Sequence, residues 1–596
     1  MKGKTMKLKM LLAACFAAAV VLADGRGERE LIWPEGKMPH FQESQVAAMT
    51  DESAKPGFKK EEHRTAYVEW LTPPAETNRN GACLVLISGG GYWCCCDCGL
   101  VDMWNRKFTA EGYQCVNFVY RTPRPAGLAF YQSAWEDGQR AIRFIRAQAQ
   151  KRGFDPERIG TISMSAGSHL ATLLATSALT PAYEKVDALD DVPCHVAFAI
   201  TGAIAYGMTD GLGIPNSRQG DGPDVKLDSI FKFDAKTAPM CMFHGGADEY
   251  SPFASTHVFR KLRQMKIPSE LHLFADRPHG FWGDDTKGDD GTAYDHWFED
   301  ATGFLRQINA DGKLGPAVAL MSRFPNDDAR ATVEKMDVWP AGKAPDFQKH
   351  QCVPYLEWHA PKTLKTKAIQ IIYSGGCYTG NSPDGFEVAP ARRFLNEKGM
   401  TVVTLKYRAP RPQNLAKHVT AWQDLQRAVR IVRDQAAKRG LDPNRIGIMG
   451  SSAGGHLTLM GATSSRHAAY SPVDALDRLP CKVQWAVGIY PAYALTDGLE
   501  VPNTTSGTDD SARLAPEFSF DPDTCPMVFV HGEADAWAAM NSVKAWEQLR
   551  RMGVQSDLHT LAGRNHCFQA NASPGTGSYT WLNRIWEFMN HKGFNK

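Results

Sequence analysis

Arg445-Ile446-Gly447-Ile448-Met449 runs into Gly450-Ser451-Ser452-Ala453-Gly454, and His456-Leu457-Thr458-Leu459-Met460 follows. A short apolar run that ends in a glycine turn predicts a buried strand, and the residues beyond the turn predict a helix. The turn itself reads G-x-S-x-G. At a strand-to-helix junction this pattern bends the chain sharply and projects the serine hydroxyl outward. The flanking glycines let the backbone pass closely. The bare pattern also fits a turn without chemistry; its place between strand and helix favours a nucleophile.

The stretch has an earlier copy, Ile159-Gly160-Thr161-Ile162 leading into Ser163-Met164-Ser165-Ala166-Gly167. The two serines are 452 − 165 = 287 residues apart. Asp248 and Asp535 share that offset (535 − 248 = 287), and so do His279 and His566 (566 − 279 = 287). Other segments repeat as well. Trp33-Pro34 returns as Trp339-Pro340, Tyr67-Val68-Glu69-Trp70 as Tyr355-Leu356-Glu357-Trp358, and Val186-Asp187-Ala188-Leu189-Asp190 as Val473-Asp474-Ala475-Leu476-Asp477. Solenoid repeats run to roughly 20–50 residues, so a period this long means duplicated domains. The expected division is residues 1–23 as a leader, 24–312 as the first domain and 313–596 as the second. Within each copy, strand-like runs such as Cys83–Ile87 and Met240–Phe243 alternate with helical patterns such as 137–150, 169–176 and 294–308. That alternation implies a largely parallel sheet flanked by helices.

A serine nucleophile needs a base, and the base needs an orienting acid. His279 and His566 lie in loops beyond the last strand of each copy, where an imidazole can swing over the sheet end. Asp248 and Asp535 follow the penultimate strand. The order Ser, Asp, His is that of α/β-hydrolases. His169, His244 and His272, with His456, His531 and His559, recur as rivals and read as structural hydrogen-bonding groups. Asp137 and Asp424 read as helix or loop anchors. The oxyanion calls for preaimed N–H donors. These are expected from Ala166 and Ala453, and from the turns Ser88-Gly89-Gly90-Gly91-Tyr92 and Ser374-Gly375-Gly376-Cys377-Tyr378. Gly90, Gly91, Gly376 and Cys377 are the candidates there. Tyr92, Trp93 and Trp282 in the first copy, and Tyr378 and Phe568 in the second, are candidate substrate contacts, with packed apolar surface as the alternative. The first elbow departs from the second at Ser163 and Ser168, where the second has Gly450 and Gly455, so it is expected to be the more crowded.

These motifs, with Tyr120-Arg121 and Tyr407-Arg408, Asp155-Pro156-Glu157-Arg158-Ile159-Gly160 and Asp442-Pro443-Asn444-Arg445-Ile446-Gly447, resemble the secreted α/β-hydrolase esterases grouped with acetylxylan and feruloyl esterases. The resemblance covers most of both halves. It implies an α/β fold of two tandem α/β-hydrolase domains, each a mostly parallel eight-stranded sheet flanked by helices. It also implies carboxylic-ester hydrolysis without metal or other cofactor, carried by Ser165, Asp248 and His279 and by Ser452, Asp535 and His566. Acetylxylan is the leading substrate expectation, with feruloyl esters or general carboxylic esters as alternatives. One copy acting as a silent binding or scaffold module is a further alternative. In this fold Cys377 and Cys567 border one serine, so a disulfide between them is considered beside two unrelated small residues.

The bulk composition is that of soluble protein, with 43% hydrophobic and 22% charged residues. A net charge of +2, from 67 basic and 65 acidic residues, argues against a nucleic-acid or anionic-membrane partner. The expected partner is a polysaccharide or small ester. Lys2, Lys4, Lys7 and Lys9 precede an apolar run from Met10 to Leu22, which predicts an export leader cleaved near Ala23. Leu12-Ala13-Ala14-Cys15 resembles a lipobox, the less favoured reading. No later stretch has the length of a spanning helix, so no integral membrane segment is expected after leader removal. Of 14 cysteines, Cys15 leaves with the leader, and the Cys94, Cys95, Cys96 and Cys98 cluster reads as thiol or disulfide rather than metal site.

Overall fold

The structure, a computed structural model, describes residues 27–42, 64–71, 77–96, 99–209, 225–280, 296–309, 333–496, 512–571 and 581–596. The leader, its lipobox-like segment, Cys98 and Trp282 lie outside the described residues. Most of the Asp- and Gly-rich segments near 209–228 and 496–511 lie outside them too. The chain forms two compact units, one built on each copy.

The first unit contains strands β1 (Glu28–Leu31), β2 (Tyr67–Leu71), β3 (Cys83–Ile87), β4 (Gln114–Val119), β5 (Ile159–Met164) and β6 (Phe198–Gly202). A two-stranded pair follows, β7 (Met208–Thr209) with β8 (Lys226–Leu227), and then β9 (Met240–Gly245); β10 (Ser269–Phe274) comes next in the chain. The sheet order through β9 is β1-β2-β4-β3-β5-β6-β9. Only β1 and β2 run antiparallel to their neighbours. The second unit repeats the plan with β11 (Glu334–Asp337), β12 (Tyr355–His359), β13 (Ile369–Tyr373), β14 (Thr401–Lys406), β15 (Ile446–Ser451) and β16 (Trp485–Ile489). The small pair β17 (Leu495–Thr496) and β18 (Arg513–Leu514) precedes β19 (Met527–Gly532) and β20 (Asp557–Leu561). Its eight sheet strands stand in the order β20-β19-β16-β15-β13-β14-β12-β11.

Central strands are buried along their whole length, as in β3, β5, β13 and β15, because helices cover both sheet faces. Two covering helices are longer than their apolar patterns suggested, and the one expected over 294–308 spans His296–Gln307. The one expected over 137–150 spans Gln132–Arg152, and the helix after the nucleophile begins at Ala166 rather than near His169.

The two helices behind the elbow meet through a large–small pair whose members have exchanged places. Gly138 faces Leu174 in the first unit; a Cβ at Gly138 would lie 3.3 Å from the Leu174 Cδ2. In the second unit Leu425 faces Gly461, where a Cβ would lie 2.9 Å from the Leu425 Cδ2. The sum of the volumes is kept, and with it the close approach of the helices.

Asp137 and Asp424 are anchors, as expected. Asp137 accepts from the Arg121 backbone N–H at 2.8 Å, from Arg121 Nε at 2.9 Å and from Trp33 Nε1 at 2.7 Å. Asp424 does the same for Arg408 and Trp339. Each buried carboxylate thus ties the Trp-Pro opening and the Tyr-Arg segment to the helix before the nucleophile strand. The repeated Val-Asp-Ala-Leu-Asp segments form capped 3-10 turns, whose Asp187 and Asp190 bind Arg140 and whose Asp474 and Asp477 bind Arg427.

Candidate active site

Ser165 and Ser452 end β5 and β15 in the same conformation, φ 59° and ψ −124° against φ 57° and ψ −120°. A non-glycine residue there stores about 1–3 kcal/mol, so the surroundings must impose it. The neighbouring strand does so: Ser165 N–H donates to Gly202 O and Ser452 N–H to Ile489 O, both at 2.9 Å. The following helix then packs tightly under the oxyanion turn. A Cβ at Gly167 would stand 2.4 Å from Ser88 O, and one at Gly454 would stand 2.7 Å from Ser374 O.

The crowding expected of the first elbow is relieved by its neighbours. A Cβ at Gly450 would lie 2.5 Å from the Tyr373 ring, whereas the first unit has Ile87 at the end of the matching strand. Ser163 fits there and turns its Oγ to Ile200 O and Ser168 Oγ, both at 3.1 Å. Ser168 Oγ in turn donates to Gly202 O at 2.8 Å. The two serines form one buried network, which explains why they differ from the second copy together.

The structure brings each predicted triad together. His279 Nε2 is 2.8 Å from Ser165 Oγ, and its Nδ1 is 2.8 Å from Asp248 Oδ2. His566 Nε2 is 2.8 Å from Ser452 Oγ, and its Nδ1 is 2.7 Å from Asp535 Oδ2. Both acids are buried. Burial raises their pKa, but the hydrogen bonds to two histidines outweigh it and hold both well below the usual carboxylate range. The second histidines are His244 and His531, which sequence reasoning classed only as structural. Each sits 3.4 Å or 3.2 Å from its acid and is fixed from behind by Ser255 or Ser542. Backbone N–H groups of Tyr250 and Trp537 complete the cradles at 2.8 Å. The His-Gly-x-Ala-Asp spacing was the signal for this support.

The predicted oxyanion turns lie against the nucleophiles. A Cβ at Gly89 would approach Ser165 Cβ to 2.8 Å, and one at Gly375 would approach Ser452 Cβ to 2.5 Å. These two glycines, quoted in the expected turns but not among the donor candidates, are what permits the turn to reach the serine. Among the described residues, the amides of Gly90, Gly91, Gly376 and Cys377 donate no hydrogen bond within the protein, and Ala166 and Ala453 open their helices. The free donors are therefore those expected. Cys377 takes φ 53° where Gly91 takes 62°, and Cys567 takes 63° where Gly280 takes 83°. Of the two readings of Cys377 and Cys567, the structure has the separate small residues and no disulfide: both are free thiols, and burial pushes Cys567 up to about 12. In the first unit Cys94 Sγ donates to Gly90 O and Cys95 Sγ to Tyr120 O, and Cys96 is disulfide-bonded.

The predicted aromatic contacts require correction. Tyr92, Trp93, Tyr378 and Phe568 are no more than 3% exposed. Tyr92 Oη bonds His169 Nδ1 at 2.7 Å, and Tyr378 Oη bonds His456 Nδ1 at 2.8 Å, so both brace the oxyanion turn from below. Trp93 lies under Arg124, whose Cζ is 4.6 Å from the ring centre. Phe568 packs between Tyr490 and Trp581. The rings beside the bases are instead Tyr250, 4.8 Å from His279, and Tyr490 and Trp537, 4.7 Å and 6.0 Å from His566. No helix among the described residues is long and apolar enough to cross a membrane.

Known proteins resemble parts of this chain in sequence. Over 214 residues the chain is 26% identical to Endo-1,4-beta-xylanase B of Butyrivibrio fibrisolvens, covering 34% of this chain and 32% of that protein. Over 230 residues it is 24% identical to the probable carboxylic ester hydrolase LipM of Mycobacterium tuberculosis, covering 35% and 52%. Over 121 residues it is 33% identical to an acetylxylan esterase of Xylanibacter ruminicola, covering 20% and 23%. The chain thus spans 23–52% of these relatives' lengths. Among solved structures, an acetyl ester-xyloside bifunctional hydrolase from Caldicellulosiruptor lactoaceticus is 25% identical with a TM-score of 0.37, covering 44% of this chain and 97% of that one. The BD-FAE family model matches twice, at residues 71–262 and 356–549, once over each unit. With an α/β-hydrolase sheet and a serine elbow in each half, the chain belongs to the BD-FAE family.

Proposed function

We propose that each half is a serine carboxylic-ester hydrolase and that the protein removes acyl groups, acetyl on xylan foremost, from plant cell-wall polysaccharide. One observation carries this reading: the serine–imidazole–carboxylate chain is assembled twice, with 2.8 Å from base to nucleophile in both units. Ser165 or Ser452 Oγ attacks the ester carbonyl while His279 or His566 Nε2 takes its proton. The oxyanion meets the free amides of the glycine turn and of the residue after the serine. The imidazolium, stabilised by Asp248 or Asp535, protonates the sugar oxygen as the ester C–O bond breaks and the acyl group stays on the serine; the neutral imidazole then takes a proton from water, whose oxygen attacks the acyl carbon, and returns it to the serine oxygen as the acid leaves. The names of an acetylxylan esterase and a xylanase among the relatives support the choice of substrate. The predicted leader supports export, with a first domain reaching to about residue 312 and a second from there to the end.

The test is acid release from acetylated xylan and from methyl ferulate by the full chain and by Ser165→Ala and Ser452→Ala. The reading predicts acetate release well above ferulate release, with each single variant keeping part of it. A reversed ranking makes the protein a feruloyl esterase. Complete loss in one single variant makes the other half a silent module. No release from either ester by the unaltered chain overturns the reading.

A further inference from the structure

His456 lies one turn beyond Ser452, on the nucleophile's own helix, and its Nδ1 is taken by Tyr378. Its other nitrogen, Nε2, faces Glu517 Oε1 at 3.0 Å. A second imidazole points at the same oxygen: His418 Nδ1 lies 3.9 Å from Glu517 Oε1. His418 Nδ1 is buried and makes no hydrogen bond. The two rings stand 5.5 Å apart, and one ligand atom from each of the three residues lies within 4.8 Å of the others.

The first unit shows what this place looks like without these groups. There His169 keeps its bond to Tyr92, but its Nε2 has no hydrogen-bond partner. At the 287-residue offset, Tyr131 stands for His418 and Ile230 for Glu517. Tyr131 and Phe231 close around the imidazole, with ring centres 5.5 Å and 5.3 Å away. The second unit keeps the aromatic cover, with Phe518 5.1 Å from His456, and has placed a second imidazole and a carboxylate where the first has Tyr131 and Ile230. Burying such groups costs free energy unless each finds a partner, and the His418 nitrogen has none.

We propose that His418, His456 and Glu517 form a divalent-metal site, of the zinc type, in the second half alone. A tetrahedral cation bonded at about 2.1 Å holds its ligands about 3.4 Å apart, between the 3.0 Å and 3.9 Å contacts found here. Two imidazoles with one carboxylate suit zinc, cobalt or nickel better than calcium or magnesium. The nearest cation, Lys417, extends over the Tyr493 ring at 4.6 Å. With 13% and 19% of their side chains exposed, His418 and Glu517 leave a path for the ion and for water as a fourth ligand. On binding, the His456 proton resides on Nδ1 and is donated to Tyr378 Oη. The ion thereby stiffens the turn that carries Gly376 and Cys377. It is a structural ion and takes no part in the ester chemistry.

The experiment uses the full chain, stripped with chelator and titrated with Zn2+ against a chromophoric competitor. The unaltered protein should bind one equivalent more than His418→Tyr/Glu517→Ile, which restores the residues of the first half. His418→Gln, which keeps the site polar should the double variant fail to fold, should weaken that equivalent by more than about 100-fold. Co2+ should give visible ligand-field bands with the unaltered chain that are missing from both variants. Equal Zn2+ stoichiometry and affinity in the unaltered chain and in both variants would overturn the site, as would the absence of any tightly bound equivalent.

Discussion

The two halves hold their triads alike and their oxyanion turns differently. In the first, Gly89 bridges to the disulfide-bonded Cys96, and Arg124 Nε donates to Gly91 O at 2.8 Å. In the second, the buried Glu387 accepts from Gly375 N–H at 2.8 Å and from Tyr490 Oη at 3.1 Å, and burial raises its pKa. The position of Tyr490 is occupied by Ala203 in the first half, at the 287-residue offset. The difference teaches that reaction geometry is fixed by few atoms, and that many packings can hold those atoms. Triad contacts agree to about 0.1 Å between halves, while the turn is held by a backbone bridge and an arginine in the first and by a buried carboxylate in the second.

The largest expected effect separates the halves outright. Ser165→Ala and Ser452→Ala should each remove one half's share of ester turnover, and the double variant should lose about 10⁴-fold or more of kcat/KM. A double variant with full activity would break the symmetry at its root. Next, Asp535→Asn in the Ser165→Ala background should lower kcat by about 10⁴-fold, because the imidazole loses its orienting anion. A drop below tenfold would mean that His531 and the Trp537 N–H keep the residue-535 side chain aimed at His566 without the charge.

The turns come third. Gly375→Ala, in the same background, pushes a methyl into Ser452 Cβ and should cost about 10²–10³ in kcat with its fold intact by circular dichroism. Gly89→Ala should do the same to the first half, with somewhat less crowding, since its added methyl would stand 2.8 Å from the serine Cβ against 2.5 Å in the second.

Packing gives a smaller and sharper contrast. Gly461→Leu alone overfills the helix contact and should cost about 1–3 kcal/mol. Adding Leu425→Gly, which recreates the arrangement of the first half, should recover part of that, with a coupling of about 0.5–3 kcal/mol in urea unfolding. Strict additivity would show that the exchange of Gly138 with Leu174 for Leu425 with Gly461 is not a compensating pair. The smallest effect concerns backbone strain. Cys377→Gly and Cys567→Gly should each stabilise the second half by about 1 kcal/mol, by relieving left-handed φ values that the first half gives to glycine. A loss of stability on either change would show that the thiol's packing outweighs its strain.

The triads and the elbow were legible because reaction chemistry fixes residue type, order and spacing, and the 287-residue offset repeated all three. The anchors Asp137 and Asp424 were legible for the same reason. The aromatics were not: Tyr92, Trp93, Tyr378 and Phe568 flank the site in sequence, but whether a ring faces solvent or core depends on what packs over it. The sequence left Cys377 and Cys567 open between a disulfide and two separate residues, and the structure has the separate thiols. Two cysteines at matching glycine positions report a shared backbone requirement, and that does not entail a bond between them. Gly89 and Gly375 belong to the turns read from the sequence, but their own role is not legible there, because each matters only through a serine more than seventy positions away in the chain.

Two independently assembled nucleophiles are the centre of this picture of the protein, and a fluorophosphonate probe with intact-mass readout tests them most directly. Two adducts per chain are expected, mapped to Ser165 and Ser452, falling to one in either alanine variant. A single adduct in the unaltered chain, or labelling at any other serine, would contradict the twofold site.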